Sequence, residues 1–343
     1  MFVHGVKKIV RTVLCVVAVV LAAISIGAIS YGENFLTLAT FQKPNTASQW
    51  TVVSRVPSFY GNHAVVDYSS PNGTQWRGLL TGGLINNRVN SDGVSASMFT
   101  HALELLSFSG STPPKNILIM GLGAGITATN LKDMGANVDV IELDAVVEEI
   151  AREYFSFKGD GIPVTIEDAR TYVRNCQKKY DVVIVDLFKG DGIPSHVVSQ
   201  EFFSDIKYCL NDDGAIVMNA FYGTKDLRSK KALLKTIVSV FAKIIVFETP
   251  QKPSAEMTQG YILARKSQKW AYNISLRGMS EFVIKSLSPT LKNRTVYATN
   301  SELLKNTLPI YDNKNDWKRI SSYIDVTYRK ILTGVIPWQV LLD

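Results

Sequence analysis

Hydrophobic and polar side chains alternate along residues 64–68 and again along residues 76–80, with a break at residues 70–73. A period of two is typical of strands with one buried face, and the Ser-Pro-Asn-Gly break contains residues that turns prefer. Residues 51–84 are therefore predicted to contain a β-hairpin. Downstream, residues 95–108 carry Met, Ala and Leu side chains on one helical face, which predicts a short helix.

From residue 115 onward the apolar runs are continuous instead of alternating. Five of them are separated by segments of helical character, and they cover residues 115–120, 138–143, 164–166, 182–185 and 215–219. Strands that are hydrophobic on both faces and alternate with helices indicate a parallel sheet covered on both sides. Two further runs, residues 244–248 and 260–264, follow a predicted helix at residues 227–241 and suit antiparallel closing strands. The predicted fold class is α/β.

The amino-terminal segment has a different character. Residues 13–29 are an almost uninterrupted run of Val, Leu, Ala and Ile that follows the basic residues Lys7, Lys8 and Arg11. A helix of this length nearly crosses the hydrocarbon core of a bilayer, which predicts a single-pass membrane anchor at the amino terminus. The alternative is a cleaved signal peptide and a secreted protein, because the small residues near position 30 suit a signal peptidase. The basic residues predict a body outside the cytosol if the anchor is retained.

These patterns divide the chain into five predicted segments. They are a membrane anchor or signal (1–33), a linker (34–50), a small β-rich domain (51–110), an α/β core (111–268) and a basic, helix-leaning extension (269–343).

Composition and charge narrow the classes of function. The chain has 343 residues, 46% of them hydrophobic and 20% charged, which is typical of a globular protein. Its net charge of +7 comes from the two ends, and residues 12–268 are close to neutral. Because nucleic-acid binding needs basic residues clustered on the working face, no nucleic-acid partner is expected. The cysteines Cys15, Cys176 and Cys209 have no C-x-x-C spacing, so neither a metal site nor a disulfide framework is expected.

A glycine-rich loop is the first candidate for chemistry. Gly121, Gly123 and Gly125 lie between a predicted buried strand and a helix that begins near Ile126. Glycines there let a ligand approach the backbone and the helix amino terminus, although they could merely form a tight turn. Glu142 ends the next strand, where a carboxylate can accept hydrogen bonds from both hydroxyls of a ribose. The pair indicates a nucleotide-like ligand. Ile126 in place of the third glycine of G-x-G-x-x-G argues against NAD.

Two more strand ends carry acids. Asp168 follows the third strand, where a carboxylate could accept from the exocyclic amine of adenine, and Asp186 ends the fourth. Ligands of open α/β sheets bind beyond the carboxyl ends of the strands, so Glu142, Asp168 and Asp186 are expected to line one crevice. Taken singly, each could instead be a helix cap or a surface carboxylate.

The chain resembles the spermidine/spermine synthase family, the polyamine aminopropyltransferases. The matching residues are 117–125, 140–144, 167–169, 180–186, Pro194 and 199–203. The resemblance extends over roughly residues 50–266 and is looser in the hairpin block.

This resemblance implies a Rossmann-like, S-adenosylmethionine-dependent transferase core and no metal. The ligands implied are decarboxylated S-adenosylmethionine or S-adenosylmethionine, and a small-molecule amine as acceptor; a homodimer is implied as well. The cofactor-binding residues implied are Gly121, Gly123, Gly125, Glu142, Leu143, Asp168 and Ala169. Asp186 would be the catalytic carboxylate that orients the attacking amine and accepts its proton.

Two positions depart from the family pattern, which makes the chain a diverged member. Ala124 replaces an acid of the glycine loop, and Lys189 replaces the second acid of the catalytic loop. A lysine repels a cationic amine, and Asp191, two residues later, is the candidate to compensate for it. Tyr222 lies at a strand end and is the second candidate for the acceptor pocket, although it could instead be a packing aromatic.

Three functions stay open, with a transferase favoured. They are aminopropyl transfer, methyl transfer from S-adenosylmethionine, and a catalytically silent, membrane-tethered binding protein. The lost acid at Ala124 suits methyl transfer, because intact S-adenosylmethionine carries its own carboxylate. A body outside the cytosol would lack these cytosolic ligands, which suits the silent protein.

Overall fold

The computed structural model describes residues 40–42, 47–189, 192–267 and 272–341. The strands are β1 (Thr40–Gln42), β2 (Gln49–Val56), β3 (His63–Ser69), β4 (Gln75–Thr81), β5 (Leu84–Val89), β6 (Asn116–Met120), β7 (Asn137–Glu142), β8 (Val164–Ile166), β9 (Tyr180–Val185), β10 (Leu210–Gly223), β11 (Lys243–Glu248), β12 (Met257–Arg265) and β13 (Arg294–Ala298). The helices are α1 (Met98–Ser107), α2 (Ile126–Asp133), α3 (Ala145–Tyr154), α4 (Ala169–Arg174), α5 (Gln200–Cys209), α6 (Arg228–Phe241), α7 (Glu281–Lys292) and α8 (Trp317–Thr333).

Strands β1 to β5 form a small antiparallel sheet in sequential order. The predicted hairpin is its central pair, β3 and β4, joined through the turn at residues 70–73. The sheet is larger than a hairpin because β2 and β5 pair on either side. Strand β5 carries Asn86, Asn87 and Arg88 in succession, so its sequence lacks the alternation by which strands are recognised.

The large sheet has the strand order β13-β11-β12-β10-β9-β6-β7-β8. Neighbours from β8 to β10 are parallel, whereas β12, β11 and β13 are antiparallel to the strands beside them. The predicted α/β, Rossmann-like sheet with antiparallel closing strands is confirmed. Strand β13 is an addition from the extension after residue 269, which was expected to be mainly helical.

Two hydrophobic cores cover the faces of the large sheet. Helices α4, α5 and α6 pack on one face against side chains such as Val183 and Ile216. Helices α1, α2, α3 and α7 pack on the other, against side chains such as Ile119 and Val140. Burying each aliphatic side chain of this size stabilises the fold by about 1.5–3 kcal/mol. The loops that follow β6, β7, β8 and β9 extend from the carboxyl edge of this sheet, which is covered on both faces.

The predicted membrane location needs correction. Residues 13–29, interpreted as an anchor, lie outside the described residues. Within the part of the chain that the structure describes, no helix combines the length and the apolar character that crossing a membrane requires.

Candidate functional site

The glycine loop runs from the end of β6 to the start of α2. Gly121 has a φ of +97° and Gly125 a φ of +75°, in the region that favours glycine. A Cβ at Gly121 would collide with the backbone oxygen of Asp186, and one at Gly125 would collide with the ring of Phe157. These two glycines are therefore required by the packing of the loop against Asp186 and Phe157.

Gly123, in the middle of the loop, has different surroundings. Its φ is +54°, and a Cβ built on it would have the Asn87 side-chain nitrogen 4.0 Å away as its neighbour. Asn87 belongs to the small sheet and is 4% exposed. The backbone at Gly123 is accordingly open to a ligand, next to the amino terminus of α2, where backbone N–H groups favour anionic and polar groups.

Glu142 ends β7 and reaches back to the glycine loop. Its Oε2 accepts a hydrogen bond from the backbone nitrogen of Leu122 at 2.9 Å, and its Oε1 accepts from Leu143 at 2.7 Å and Asp144 at 3.0 Å. Burial raises the pKa of Glu142, and the three backbone donors act in the opposite direction. Glu142 is partly exposed as a residue, and a carboxylate has more lone pairs than three donors use, so it can accept further hydrogen bonds from hydroxyl groups.

Asp144, two residues later, joins the small sheet to the core. It caps α3 by accepting from the backbone nitrogen of Val146 at 3.0 Å. Its other oxygen accepts from Ser58 Oγ at 2.5 Å and lies 2.8 Å from His63 Nε2. His63 is 3% exposed, and its Nδ1 lies 2.9 Å from Thr81 Oγ1. This network fixes the small sheet beside Glu142.

Asp168 lies at the amino terminus of α4, which begins at the buried Ala169. Its Oδ1 accepts from the backbone nitrogen of Thr171 at 3.0 Å, as a helix cap does, and its Oδ2 lies 2.9 Å from His196 Nε2. Partial burial opposes ionisation, but these hydrogen bonds outweigh it and lower the pKa of Asp168. The His196 ring is about half exposed. A ligand contact at Asp168 would therefore share the carboxylate with His196.

Asp186 follows β9 directly beside Gly121. Its Oδ1 accepts a hydrogen bond from Asn219 Nδ2 at 2.9 Å, and Asn219 Oδ1 accepts from Gln259 Nε2 at 2.8 Å. Burial raises the pKa of Asp186 to about 6, against the lowering effect of the Asn219 bond. A carboxylate with such a pKa is ionised at neutral pH yet accepts a proton far more readily than an exposed aspartate.

Of the two residues predicted for the acceptor pocket, the structure describes Tyr222 but not Asp191. Tyr222 is fully buried, its ring 5.2 Å from Lys230 Nζ, which pairs with Glu248 at 2.8 Å. Asp191 lies outside the described residues. Lys189 is exposed. The role of Tyr222 and Asp191 stays a prediction.

The structure brings the glycine loop, Glu142 and Asp186 to the carboxyl edge of β6, β7 and β9, with Asp168 beyond β8. Leu143 and Ala169 follow the two acids at the same edge. Sequence reasoning did not include Asn219 and Gln259 as site residues. The signal that Asn219 offers is its polar side chain within the apolar run of residues 215–222. Among the described residues, no group of three or more His, Cys, Asp or Glu side chains is arranged to hold a metal ion.

A family model and two curated relatives indicate the same family. The sequence model of the spermine/spermidine synthase domain matches residues 96–272. A polyamine aminopropyltransferase of Vibrio vulnificus is 30% identical over 182 residues, which are 51% of this chain and 58% of that protein. One from Thermoplasma volcanium is 36% identical over 125 residues, 34% of this chain and 46% of that protein.

A relative with different chemistry also matches. The N-terminal histidine N-methyltransferase of Emericella nidulans is 32% identical over 160 residues, 45% of this chain and 28% of that protein. The chain thus spans at most 58% of the length of these three relatives.

Solved structures have the same fold. A probable spermidine synthase from Corynebacterium glutamicum superposes with a TM-score of 0.60 at 17% identity, over 76% of this chain and 96% of that chain. A spermidine synthase in complex with the transition-state analogue AdoDATO superposes with a TM-score of 0.50 at 20% identity, over 69% of this chain and 88% of that chain.

Proposed function

Since the chain belongs to the spermine/spermidine synthase family, we propose that it is a transferase that binds decarboxylated S-adenosylmethionine and moves its aminopropyl group to a small-molecule amine. The aminopropyltransferase relatives support the reaction class. The arrangement at the carboxyl edge of the large sheet supports the assignment of individual residues.

The cofactor half of the site suits an adenosyl ligand. The open backbone at Gly123 gives a ligand room against the loop, and Glu142 offers carboxylate oxygens beside it. A carboxylate at the end of the second strand is suited to the two hydroxyls of a ribose. We assign the adenine side to Asp168 and Ala169 at the start of α4. The bound sulfonium compound would supply the electrophilic carbon. As the new carbon–nitrogen bond forms, the carbon–sulfur bond would break and methylthioadenosine would leave with its electron pair.

We assign to Asp186 the role of binding the acceptor amine and taking its proton. The environment of this carboxylate is the observation that supports the proposal most strongly. A protonated amine has no lone pair for attack, so a base must take its proton. Asp186 has a pKa raised by burial to about 6, which suits a base working near neutral pH. The amide of Asn219 holds one carboxylate oxygen and leaves the other for the amine.

Methyl transfer from S-adenosylmethionine is the second candidate. It is favoured by Ala124, which is fully buried in the loop and presents no carboxylate to repel that of an intact cofactor. The methyltransferase relative from Emericella nidulans is in accord with it.

One experiment separates these reactions. The full chain is incubated with decarboxylated or intact S-adenosylmethionine, each labelled in the group to be transferred, together with short aliphatic amines. Binding is measured by equilibrium dialysis, and the products by mass spectrometry. We expect the labelled aminopropyl group on the amine. A labelled methyl group on the acceptor would favour the second candidate, and binding without transfer would favour a catalytically silent protein. Binding of neither compound would contradict all three.

A further inference from the structure

The extension after the core returns to the site and packs against residues 192–199, which lead from the loop after β9 into α5. The buried Trp317 donates through its Nε1 to the backbone oxygen of Ile193 at 2.8 Å. At the start of α5, the backbone nitrogen of Gln200 donates to the backbone oxygen of Ile310 at 2.7 Å. Residues 192–199 are therefore bonded to the extension at both ends.

The middle of this segment is held by Asn315, just before α8. Its Nδ2 donates to the backbone oxygen of Ser195 at 2.7 Å, and its Oδ1 accepts from the backbone nitrogen of Trp317 at 3.1 Å. The Ser195 oxygen belongs to the peptide unit that joins Ser195 to His196. Because the Asn315 amide is bonded at both ends, it fixes the backbone from which the His196 side chain projects.

His196 reaches Asp168 from this backbone. Its Nε2 lies 2.9 Å from Asp168 Oδ2, while Asp168 Oδ1 accepts from the backbone nitrogen of Thr171 at 3.0 Å. Val197 and Val198, which follow His196, are buried and anchor the segment on its inner side. Each oxygen of the carboxylate has one partner and keeps a lone pair for a further donor. Asp168 is thus oriented before a ligand arrives.

Preorganisation of this kind favours binding. A partly exposed carboxylate loses rotational freedom when it accepts a hydrogen bond from a ligand, and a partner that already orients it reduces that cost. His196 is such a partner for Asp168, but its ring is about half exposed and is not held in place by burial. The bond from Asn315 to the peptide unit before His196 supplies this constraint.

We propose that Asn315 is a positioning residue for the adenosyl ligand: it holds the peptide unit before His196, and His196 orients Asp168 toward the adenine. The inference rests on the proposed function, because that function assigns the adenine side to Asp168. Asn315 lies outside the segment 96–272 that matches the family model, so this support comes from the extension of this chain.

The test uses Asn315→Asp in the full chain. Aspartate keeps an oxygen for the backbone nitrogen of Trp317 but cannot donate to Ser195, so the start of α8 is retained while the bond to the segment is lost. Methylthioadenosine binding is measured by calorimetry, and we expect Asn315→Asp to weaken it about fivefold. Should this variant fail to fold, Asn315→Ser is measured in the same way, because its hydroxyl also accepts locally and is too short to reach Ser195.

Asn293→Asp is the matched control. Asn293 Nδ2 donates to the backbone oxygen of Glu248 at 2.9 Å, so the same kind of bond is removed from the extension at β11, six strands from β8 in the sheet order. The affinity of this variant for methylthioadenosine should equal that of wild type.

A double variant tests the link through His196. In a chain that already carries His196→Ala, Asn315→Asp should weaken methylthioadenosine binding no further, because the side chain that it positions is gone. A general structural defect would instead add its full effect to that of His196→Ala.

Equal or tighter methylthioadenosine binding by Asn315→Asp would overturn the inference, as would additive effects of Asn315→Asp and His196→Ala. The transfer assay separates this failure from that of the proposed function. Binding that depends on Asn315, without transfer to any amine, would uphold the inference and contradict the function. Aminopropyl transfer by a chain whose ligand affinity is unaffected by Asn315→Asp would do the reverse. Absence of binding in wild type would contradict both.

Discussion

Asn219 Nδ2 donates a hydrogen bond to Asp186 Oδ1 at 2.9 Å, between the neighbouring strands β9 and β10. The orientation of the Asn219 amide is fixed from its other side, because its Oδ1 accepts from Gln259 Nε2 at 2.8 Å. An amide pair on β10 and β12 therefore holds the carboxylate at the end of β9.

Replacing Asn219 with alanine removes the hydrogen bond that lowers the pKa of Asp186, so burial acts unopposed. The pKa of Asp186 should rise further, by about one unit. We expect the acid limb of the pH profile of kcat/KM to move to higher pH by that amount. The control is Asn211→Ala on the same strand, because Asn211 also donates to an aspartate, Asp181, at the far edge of the sheet. If both variants keep the wild-type pH profile of kcat/KM, the Asn219 hydrogen bond does not set the pKa of Asp186.

Asp186 should also make stability depend on pH. Its folded pKa lies above the ordinary value of 3.8, at about 6, so folding favours the protonated acid. This contribution is complete below pH 4 and is lost as pH rises through 6. Asparagine does not titrate in this range. The free energy of unfolding of Asp186→Asn, relative to that of wild type, should therefore be higher at pH 8 than at pH 4 by on the order of 1–3 kcal/mol. Urea unfolding at the two pH values measures the difference.

Asp181, at the other end of β9, is the matched control for this measurement. Burial opposes its ionisation, but hydrogen bonds from Asn116, Asn211 and Lys115 outweigh it and lower the pKa of Asp181. Its ionised form is favoured on folding, and this contribution is lost as pH falls through the lowered pKa. Asp181→Asn should therefore be less stable than wild type at pH 8. If Asp186→Asn, like Asp181→Asn, were less stable than wild type at pH 8, the environment described for Asp186 would be refuted.

Glu142→Gln tests the ribose assignment. The amide keeps one oxygen for the backbone donors, but its NH₂ group cannot accept from a hydroxyl. We expect methylthioadenosine to bind roughly tenfold more weakly, as calorimetry would show. Glu148→Gln is the control, because Glu148 pairs with Arg152 on the surface of α3. Unchanged affinity in Glu142→Gln would remove Glu142 from the ligand site.

His63→Ala tests the junction between the small sheet and the core. It leaves the buried Asp144 carboxylate and Thr81 hydroxyl each without the partner that His63 provides. Such a loss costs about 1–3 kcal/mol, which urea unfolding would detect. His196→Ala should change the free energy of unfolding by less than about 0.5 kcal/mol, since that ring is half exposed. Equal effects of the two substitutions would contradict the role given to His63.

The strands of the Rossmann-like sheet could be predicted because burial on both faces leaves a continuous apolar run, as in the fully buried Val183, Ile184 and Val185. Strand β13 could not, because it is an edge strand in which Tyr297 is the buried position and residues 294–296 are exposed. Strand β10 begins five residues earlier than predicted. Its first residues could not be recognised as a strand, because Asn211, Asp212 and Asp213 interrupt the apolar run.

Residues of the candidate site could be predicted from the sequence when they lie at the end of a recognisable strand. Glu142 and Asp186 have that property, so their meeting at the carboxyl edge follows from parallel pairing. The contacts of Asn219 with Gln259, and of helix α8 with the Asp186 loop, depend on strand order and chain return over long separations. Local sequence marks Asn219 as a polar residue within an apolar run, but it does not indicate which residues these side chains contact.

The rate of aminopropyl transfer by Asp186→Asn tests the central claim most directly, with wild type as reference and methylthioadenosine binding measured in parallel. The substitution keeps the oxygen that accepts from Asn219 and removes the base. We predict a loss of roughly 10²–10⁴-fold in kcat with ligand binding retained. Transfer at the wild-type rate in this variant would contradict the claim.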